Sequence, residues 1–443
     1  MKKTLLNIIL SITMLLTVMS AASNNVYAEG HPSHNEIDSW IEVSELPTSE
    51  SGNYCLTSDI TLASTWEVPT GITNLCLNGH VINANGGNFR AITVGAGSTL
   101  NLYDCDNTTS HDGYVDTNSL WHLGTGTGTS KSITGGIITE SSAGGVKVSG
   151  TFNMYGGSIA GNNAGNKPND HGGGILVASG SQVNIVNGTI ENNNSNQSGA
   201  AVQVDGTFTM SGGTIQNNRA SNDGGGISIN GISGYANLIG TAKIINNIAN
   251  GQGGGVSYYN NSDKVTLGSK VQISGNTKSD GTANNIYMHY NNMHLVLGAG
   301  ENAPADGMKV GVTTATAPSD SISVQFTTNG TADDVNYFFS DNTDYAVIFN
   351  SGNYLELHKH NIVKIDGQAP TETDSGWKDY YQCKDVTSAC NKYYEDINGT
   401  TEIADLAVWK AVGGRGYLPK IAKPEPKVEK ETNSYVFPVT GID

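Results

Sequence analysis

The sequence predicts an all-β chain whose body is a parallel β-helix, a solenoid with three strands per coil. Three observations carry this reading. An apolar pair at i and i+2 recurs behind a glycine cluster, at Val146/Val148, Ile175/Val177, Val202/Val204, Ile227/Ile229 and Val256/Tyr258, with successive pairs 29, 27, 25 and 29 residues apart. That alternation is the period of a strand with one buried face. A second pair follows in every unit, at Phe152/Met154, Val183/Ile185, Phe208/Met210, Ala236/Leu238 and Val265/Leu267. A third segment then reads Ile-x-x-Asn each time, from Ile159 to Asn162, Ile190 to Asn193, Ile215 to Asn218, Ile244 to Asn247 and Ile273 to Asn276. The repeats lack helical periodicity, and units of this size that cannot bury a core alone do so by stacking.

In chain order, residues 1–28 read as a signal peptide: Lys2 and Lys3 supply the basic start, Leu5 to Val18 the apolar centre, and Val26-Tyr27-Ala28 a small-residue cleavage site. The apolar run is shorter than the roughly 20 residues of a spanning helix, so no membrane span is expected after cleavage near Glu29. The β-helix is expected over 29–357. Its first coils are looser, in Leu75-Cys76-Leu77-Asn78-Gly79-His80 and in Ile92-Thr93-Val94 followed by Leu100-Asn101-Leu102. Residues 107–131, rich in Thr, Ser and Gly, are expected to leave the solenoid as a loop, where a binding surface is easily added. Within the repeats, Asn162, Asn193, Asn218, Asn247 and Asn276 are expected to stack as an amide ladder that satisfies a buried turn. Gly172 to Gly174, Gly224 to Gly226 and Gly253 to Gly255 permit positive φ at a corner; no P-loop Lys-Ser/Thr follows them. Ile286/Met288 and Leu295/Leu297 continue the coils, and segments 310–327 and 345–357 are expected to add strands and close the open end.

The run Leu75 to His80, then Ile92-Thr93-Val94 with Gly97-Ser98-Thr99-Leu100-Asn101-Leu102-Tyr103-Asp104-Cys105, then coils built on Gly-Gly-Thr-Ile-x-x-Asn, resembles the right-handed, pectate-lyase-like β-helix surface proteins of Gram-positive bacteria over roughly residues 40–420. The resemblance implies architecture more than activity, because such solenoids host many functions. Residues 358–420 change character, with Trp377, Trp409, Cys383, Cys390 and an expected helix over Glu402 to Val412. They resemble a small module that follows β-helices in the same proteins, in which a His precedes three Cys. Here His360, Cys383 and Cys390 match, and Glu372 stands where the first Cys belongs. The resemblance leaves two readings: a zinc site of His360, Glu372, Cys383 and Cys390, or a Cys383–Cys390 disulfide in an exported protein. Residues 421–443 form a Pro- and charge-rich spacer and disordered tail. In it, Phe437-Pro438-Val439-Thr440-Gly441 resembles a sortase signal with cleavage between Thr440 and Gly441. The hydrophobic stretch and basic tail that sortase requires do not follow, so wall association rests on the resemblance.

The formal charge of −17 becomes −19 on loss of Lys2 and Lys3. So acidic a chain repels phosphate backbones and anionic lipid, which argues against nucleic acid as partner. Five cysteines are too few for a disulfide scaffold; Cys55 and Cys76 read as core filler or as one disulfide between neighbouring turns. Polysaccharide lyases on this fold need a carboxylate cluster holding Ca²⁺ and an Arg or Lys base, and hydrolases need paired carboxylates. The one cluster that could serve is Asp170, His171, Arg219 and Asp223, with Asp170 and Asp223 two coils and about 9 to 10 Å apart, too far to share Ca²⁺; solvated turn residues are the plainer account. Tyr258, Tyr259, Tyr287 and Tyr290 are possible stacking residues, although Tyr258 aligns with a core position. The expectation is an exported, monomeric, non-catalytic surface protein without a cofactor that contacts glycans or host-matrix proteins, with a glycan lyase or hydrolase as the alternative.

Overall fold

A computed structural model of the protein describes residues 40–165, 171–230, 233–259, 263–319, 321–359, 361–383, 392–397 and 401–422. The expectations for the signal peptide, Asp170, His360, Cys390, Thr440 and Gly441 lie outside these residues. The chain divides into two units after His358. The first is a β-solenoid of about nine turns.

Each repeat coil contributes one strand to each of three faces, plus a two-residue fourth strand. The first face contains Val146–Val148, Ile175–Val177, Val202–Val204, Ile227–Ile229, Val256–Tyr258 and Ile286–Met288, paired in parallel so that Val146 lies beside Ile175, then Val202, Ile227, Val256 and Ile286. The second face is a ten-stranded sheet running from Ile41–Val43 to Leu295–Leu297. At about 4.8 Å per step it extends roughly 43 Å. Phe152, Val183, Phe208, Ala236, Val265 and Leu295 form one inward column there, all fully buried. The third face stacks Ile159, Ile190, Ile215, Ile244 and Ile273. Directly after each recurrent Ile-x-x-Asn turn comes the extra short strand, from Asn163–Ala164 to Thr277–Lys278, in a five-stranded sheet of its own. Strands this short carry no legible alternation.

The turn asparagines form one column. In each, Nδ2 and the backbone N–H both donate to Oδ1 of the next: Asn162 to Asn193 at 3.1 and 3.0 Å, Asn193 to Asn218 at 3.0 and 3.0 Å, Asn218 to Asn247 at 2.9 and 3.0 Å, and Asn247 to Asn276 at 3.0 and 3.0 Å. Every rung also donates backward to a carbonyl of the preceding coil, as Asn218 Nδ2 does to Ile190 O at 2.9 Å. All five are fully buried, so the ladder replaces the water these amides lose. At one end the Ser141 N–H donates to Asn162 Oδ1. At the other the column passes through Asn285 and stops on the carboxylate of Asp341, which accepts from Asn285 N (2.7 Å), Asn285 Nδ2 (2.5 Å) and Thr313 Oγ1 (2.8 Å). Three donors converge there, so an acceptor-only group suits the position.

A second asparagine ladder runs outside, on the second face: Asn74, Asn101, Asn153 and Asn184 each donate through Nδ2 to Oδ1 of the preceding residue in the series Asn53, Asn74, Asn101, Asn153 at 2.6–2.7 Å. It occupies the middle positions of Leu-x-Leu-type segments. Corner glycines make the coil spacing possible. Gly224 has φ of 68°, and a Cβ on Gly225 would collide with the carbonyl oxygens of Ile248 and Gly254 in the next coil.

Residues 107–131 do not form an open loop. Gly113–Val115 pairs antiparallel with Trp121–Leu123 and Thr129–Ser130, and the fully buried Trp121 packs with Val81, Ile133, Ile137 and Ala160. Lys131 reaches Glu191 on the third face and Asn192 Oδ1 (2.6 Å), docking the insertion along the coils. At the far end, a three-stranded sheet of Val324–Gln325, Tyr354–Lys359 and Tyr345–Asn350 brings Phe326, Val347 and Leu355 onto the core, as end closure requires.

The second unit has an antiparallel sheet of Ile362–Ile365, Tyr380–Cys383, Tyr393–Tyr394 and Glu402–Ile403. Its core is Tyr380, Ile403 and Trp409. The helix there spans Leu406–Lys410, shorter than expected from the sequence: Asp405 caps it, accepting from Ala407 and Val408 N–H, and Glu402 and Ile403 belong to the sheet instead. Among the described residues no helix is long and apolar enough to cross a membrane.

Candidate functional site

The outward residues of the first face are unusually covered over its middle coils. Gln203, Ser228 and Ser257 are stacked in register and nearly fully buried although they point away from the core, and Tyr287 is the next in that column. Around Ser257 and Tyr287 the ends of neighbouring coils gather an aromatic and histidine patch. Alternation explains the assignment of each tyrosine: Tyr258 points inward, fully buried, with its hydroxyl accepting from Lys264 N (2.7 Å), and burial pushes its pKa up to about 12. Tyr259, one residue on, is therefore turned out and is 46% exposed; Tyr290 is 39% exposed.

The patch is centred on His289. Its ring lies 4.7 Å from Tyr259 and 4.7 Å from Tyr287, both edge-on, and Tyr259 packs against Tyr290 at 5.1 Å. The hydroxyl of Tyr290 hydrogen-bonds to that of Tyr259, which raises its pKa. His289 Nε2 is 3.0 Å from Ser257 Oγ and 3.9 Å from Asp223 Oδ2. Burial lowers the His289 pKa and Asp223 opposes this, so the site favours the neutral imidazole. Asp223 is anchored by Gln252 N, which donates to its Oδ1 at 2.6 Å.

Ser257, His289 and Asp223 share residue types with a hydrolase triad without its geometry. A relay needs serine on one ring nitrogen and aspartate on the other; here both face Nε2, and Ser257 is 1% exposed. Asp223 is the only carboxylate with a polar contact to this cluster among the described residues, whereas glycoside hydrolysis uses two. What the patch offers is exposed ring faces and edges beside a carboxylate, an imidazole and phenolic hydroxyls, a set that stacks on sugar rings and hydrogen-bonds to their hydroxyls.

Of the cluster proposed from sequence, His171, Arg219 and Asp223 lie among the described residues. Arg219 lies in a short fourth strand and donates to Asn250 Oδ1 (3.2 Å), with no ion pair to Asp223 among the described residues. The His171 carbonyl accepts from Arg90 Nη2 (2.6 Å) while Arg90 Nη1 donates to Gly172 O, so Arg90, which the sequence reading passed over, ties this corner to the first coils. In the second unit Glu372 sits exposed in the turn beyond Ile365, which pairs with Tyr380. The buried Cys383 pairs with Ile362 at the opposite end of that ladder. No group of three or more His, Cys, Asp or Glu able to hold a metal occurs among the described residues. Comparisons of the chain with protein-family models, curated proteins and solved structures returned no match.

Proposed function

We propose that the chain is an exported bacterial cell-surface protein of adhesin type, whose β-helix binds glycans, free or on host and matrix proteins, without turning them over. The observation that supports this reading is the exposed Tyr259/Tyr290 pair set beside His289 and Asp223 on a rigid stack of strands. Rings held in place by coil packing lose little freedom on binding, which favours recognition by stacking. An Asp223 carboxylate in the patch and an acidic chain favour neutral over uronic sugars. The test is retention of the purified chain on arrays of glycans and matrix proteins. Retention without product, reduced severalfold by Tyr259→Ala or Tyr290→Ala, is the expected result. Incubation with uronic-acid polysaccharides and Ca²⁺ that yields unsaturated, ultraviolet-absorbing product, abolished by Arg219→Ala, would establish the lyase reading instead.

A further inference from the structure

Three of the five cysteines, distant in sequence, are gathered on the outer side of the second face by coil stacking. Cys55 is in register with Cys76, and Cys76 with Tyr103. The inward neighbours Tyr54, Leu56, Leu75 and Leu102 belong to the main core, so alternation sends the two thiols outward into a separate cluster. Tyr103 continues this outer column and stacks on Tyr155 at 4.9 Å with planes 8° apart. Cys105, two residues past Tyr103, packs into the same cluster at its rim, half-buried, whereas Cys55 and Cys76 are 3% and 0% exposed. Cys76 is thus the shared neighbour: its thiol hydrogen-bonds both to Cys105 and to Cys55.

We propose that Cys105 and Cys76 are a dithiol pair that closes into a disulfide by exchange with an external low-molecular-weight disulfide, Cys105 attacking first and Cys76 resolving. The Cys105 thiolate attacks one sulfur of R–S–S–R, forming Cys105–S–S–R and expelling RS⁻. Cys76 then gives up its proton, attacks the Cys105 sulfur and displaces the second RS⁻. Two protein thiols are oxidised, one external disulfide is reduced, and the two protons end on the two released thiolates.

The electrostatics assign the same order. The hydrogen bond donated by Cys76 holds the Cys105 thiol below the usual thiol range, and that bond together with burial pushes Cys76 up. Burial pushes Cys55 up to about 11, and the hydrogen bond to Cys105 makes Cys76, rather than Cys55, the neighbour placed to resolve the mixed disulfide. The bond would join the Gly71–Cys76 strand to the segment just before the 107–131 insertion, fixing the point where the insertion leaves the coil.

Glutathione disulfide is the probe. The reduced full chain is incubated with it, alkylated and mapped by peptide mass. The expected products are a Cys76–Cys105 linked peptide, an alkylated Cys55, and no retained glutathione. Cys55→Ser leaves the link unchanged; Cys76→Ser traps glutathione on Cys105; Cys105→Ser slows native-state reaction of the remaining N-terminal thiols at least about tenfold, because buried thiols react poorly. A Cys55–Cys76 link, glutathione halted on Cys105 of the unsubstituted chain, or an unchanged rate in Cys105→Ser overturns the proposal. Should Cys76→Ser fail to fold, the map of the unsubstituted chain and the half-buried Cys105→Ser variant decide it.

Discussion

Replacing Asn218 by Ala removes the middle rung of the buried ladder. The amide loses its donations to Ile190 O, Gln216 O and Asn247 Oδ1, all at 2.9 Å, and Asn193 loses the acceptor of both its backbone N–H and its Nδ2. The Nδ2 of Asn193 keeps Ile159 O and Glu191 O, but its backbone N–H is left buried without its partner. An orphaned buried donor costs about 1 to 3 kcal/mol, and the other lost bonds add about 0.5 to 1.5 kcal/mol each, so a loss of about 3 kcal/mol or more is expected. Asn184→Ala is the control. It also removes a ladder amide, from the half-buried outer series, where water takes over and the cost is about 1 kcal/mol. Equilibrium urea unfolding, followed by far-ultraviolet circular dichroism on the full chain, compares the two. Equal destabilisation, within about 1 kcal/mol, would refute the claim that buried amide satisfaction rather than side-chain stacking holds the turns.

Burial raises the Asp341 pKa against the pull of Asn285 and Thr313. A raised folded-state value means stability is fully present below the unfolded pKa of about 3.9 and is lost as pH rises through the folded one. The melting temperature of the chain relative to Asp341→Asn is therefore expected to fall between pH 4 and 7 and to be greatest at the acid end; the reverse trend contradicts the assignment. Lys131→Met leaves the nearly buried Glu191 without its cation; with Lys131 itself about a third exposed, a loss of about 1 to 3 kcal/mol is expected by denaturant titration, and Glu191→Gln, which still accepts, costs less. Gly225→Ala forces a methyl against two backbone oxygens that cannot move aside and is expected to cost about 3 kcal/mol or more, whereas Gly86→Ala, with open space around it, carries only the penalty of its φ of 73°, about 1 kcal/mol. Both are checked in the same urea titration.

The repeating part of the fold was legible because each inward residue answers to one of two periods, and because Ile-x-x-Asn recurs at fixed offset from them. Asp341 was not, since the ladder's last acceptor comes from outside the repeat and from a different residue type. The outer ladder was hidden in the variable position of Leu100-Asn101-Leu102 and Phe152-Asn153-Met154, where a polar residue means only "solvent side" until its neighbours above and below are known. Trp121 and Ile133 lie scattered among Thr, Ser and Gly, so the apolar seam of the insertion left no periodic trace. At the candidate site, alternation separated Tyr258 from Tyr259, but the approach of Asp223 to His289 depends on corner conformations two coils apart. The same limit applied to the thiols: equal registers suggested Cys55 with Cys76, while the backbone turn after Tyr103 places Cys105 against Cys76.

The register of the coils is tested most directly by pulsed electron–electron resonance between nitroxides placed on keto-amino acids at Ile72 and Thr207, both exposed on the second face. These residues occupy one column through Thr99, Thr151 and Gln182, four strand spacings apart. A narrow distribution centred near about 19 Å is expected. A mean displaced by one strand spacing, or a broad distribution beyond about 30 Å, would contradict the stacking on which the ladders, the aromatic patch and the thiol pair all depend.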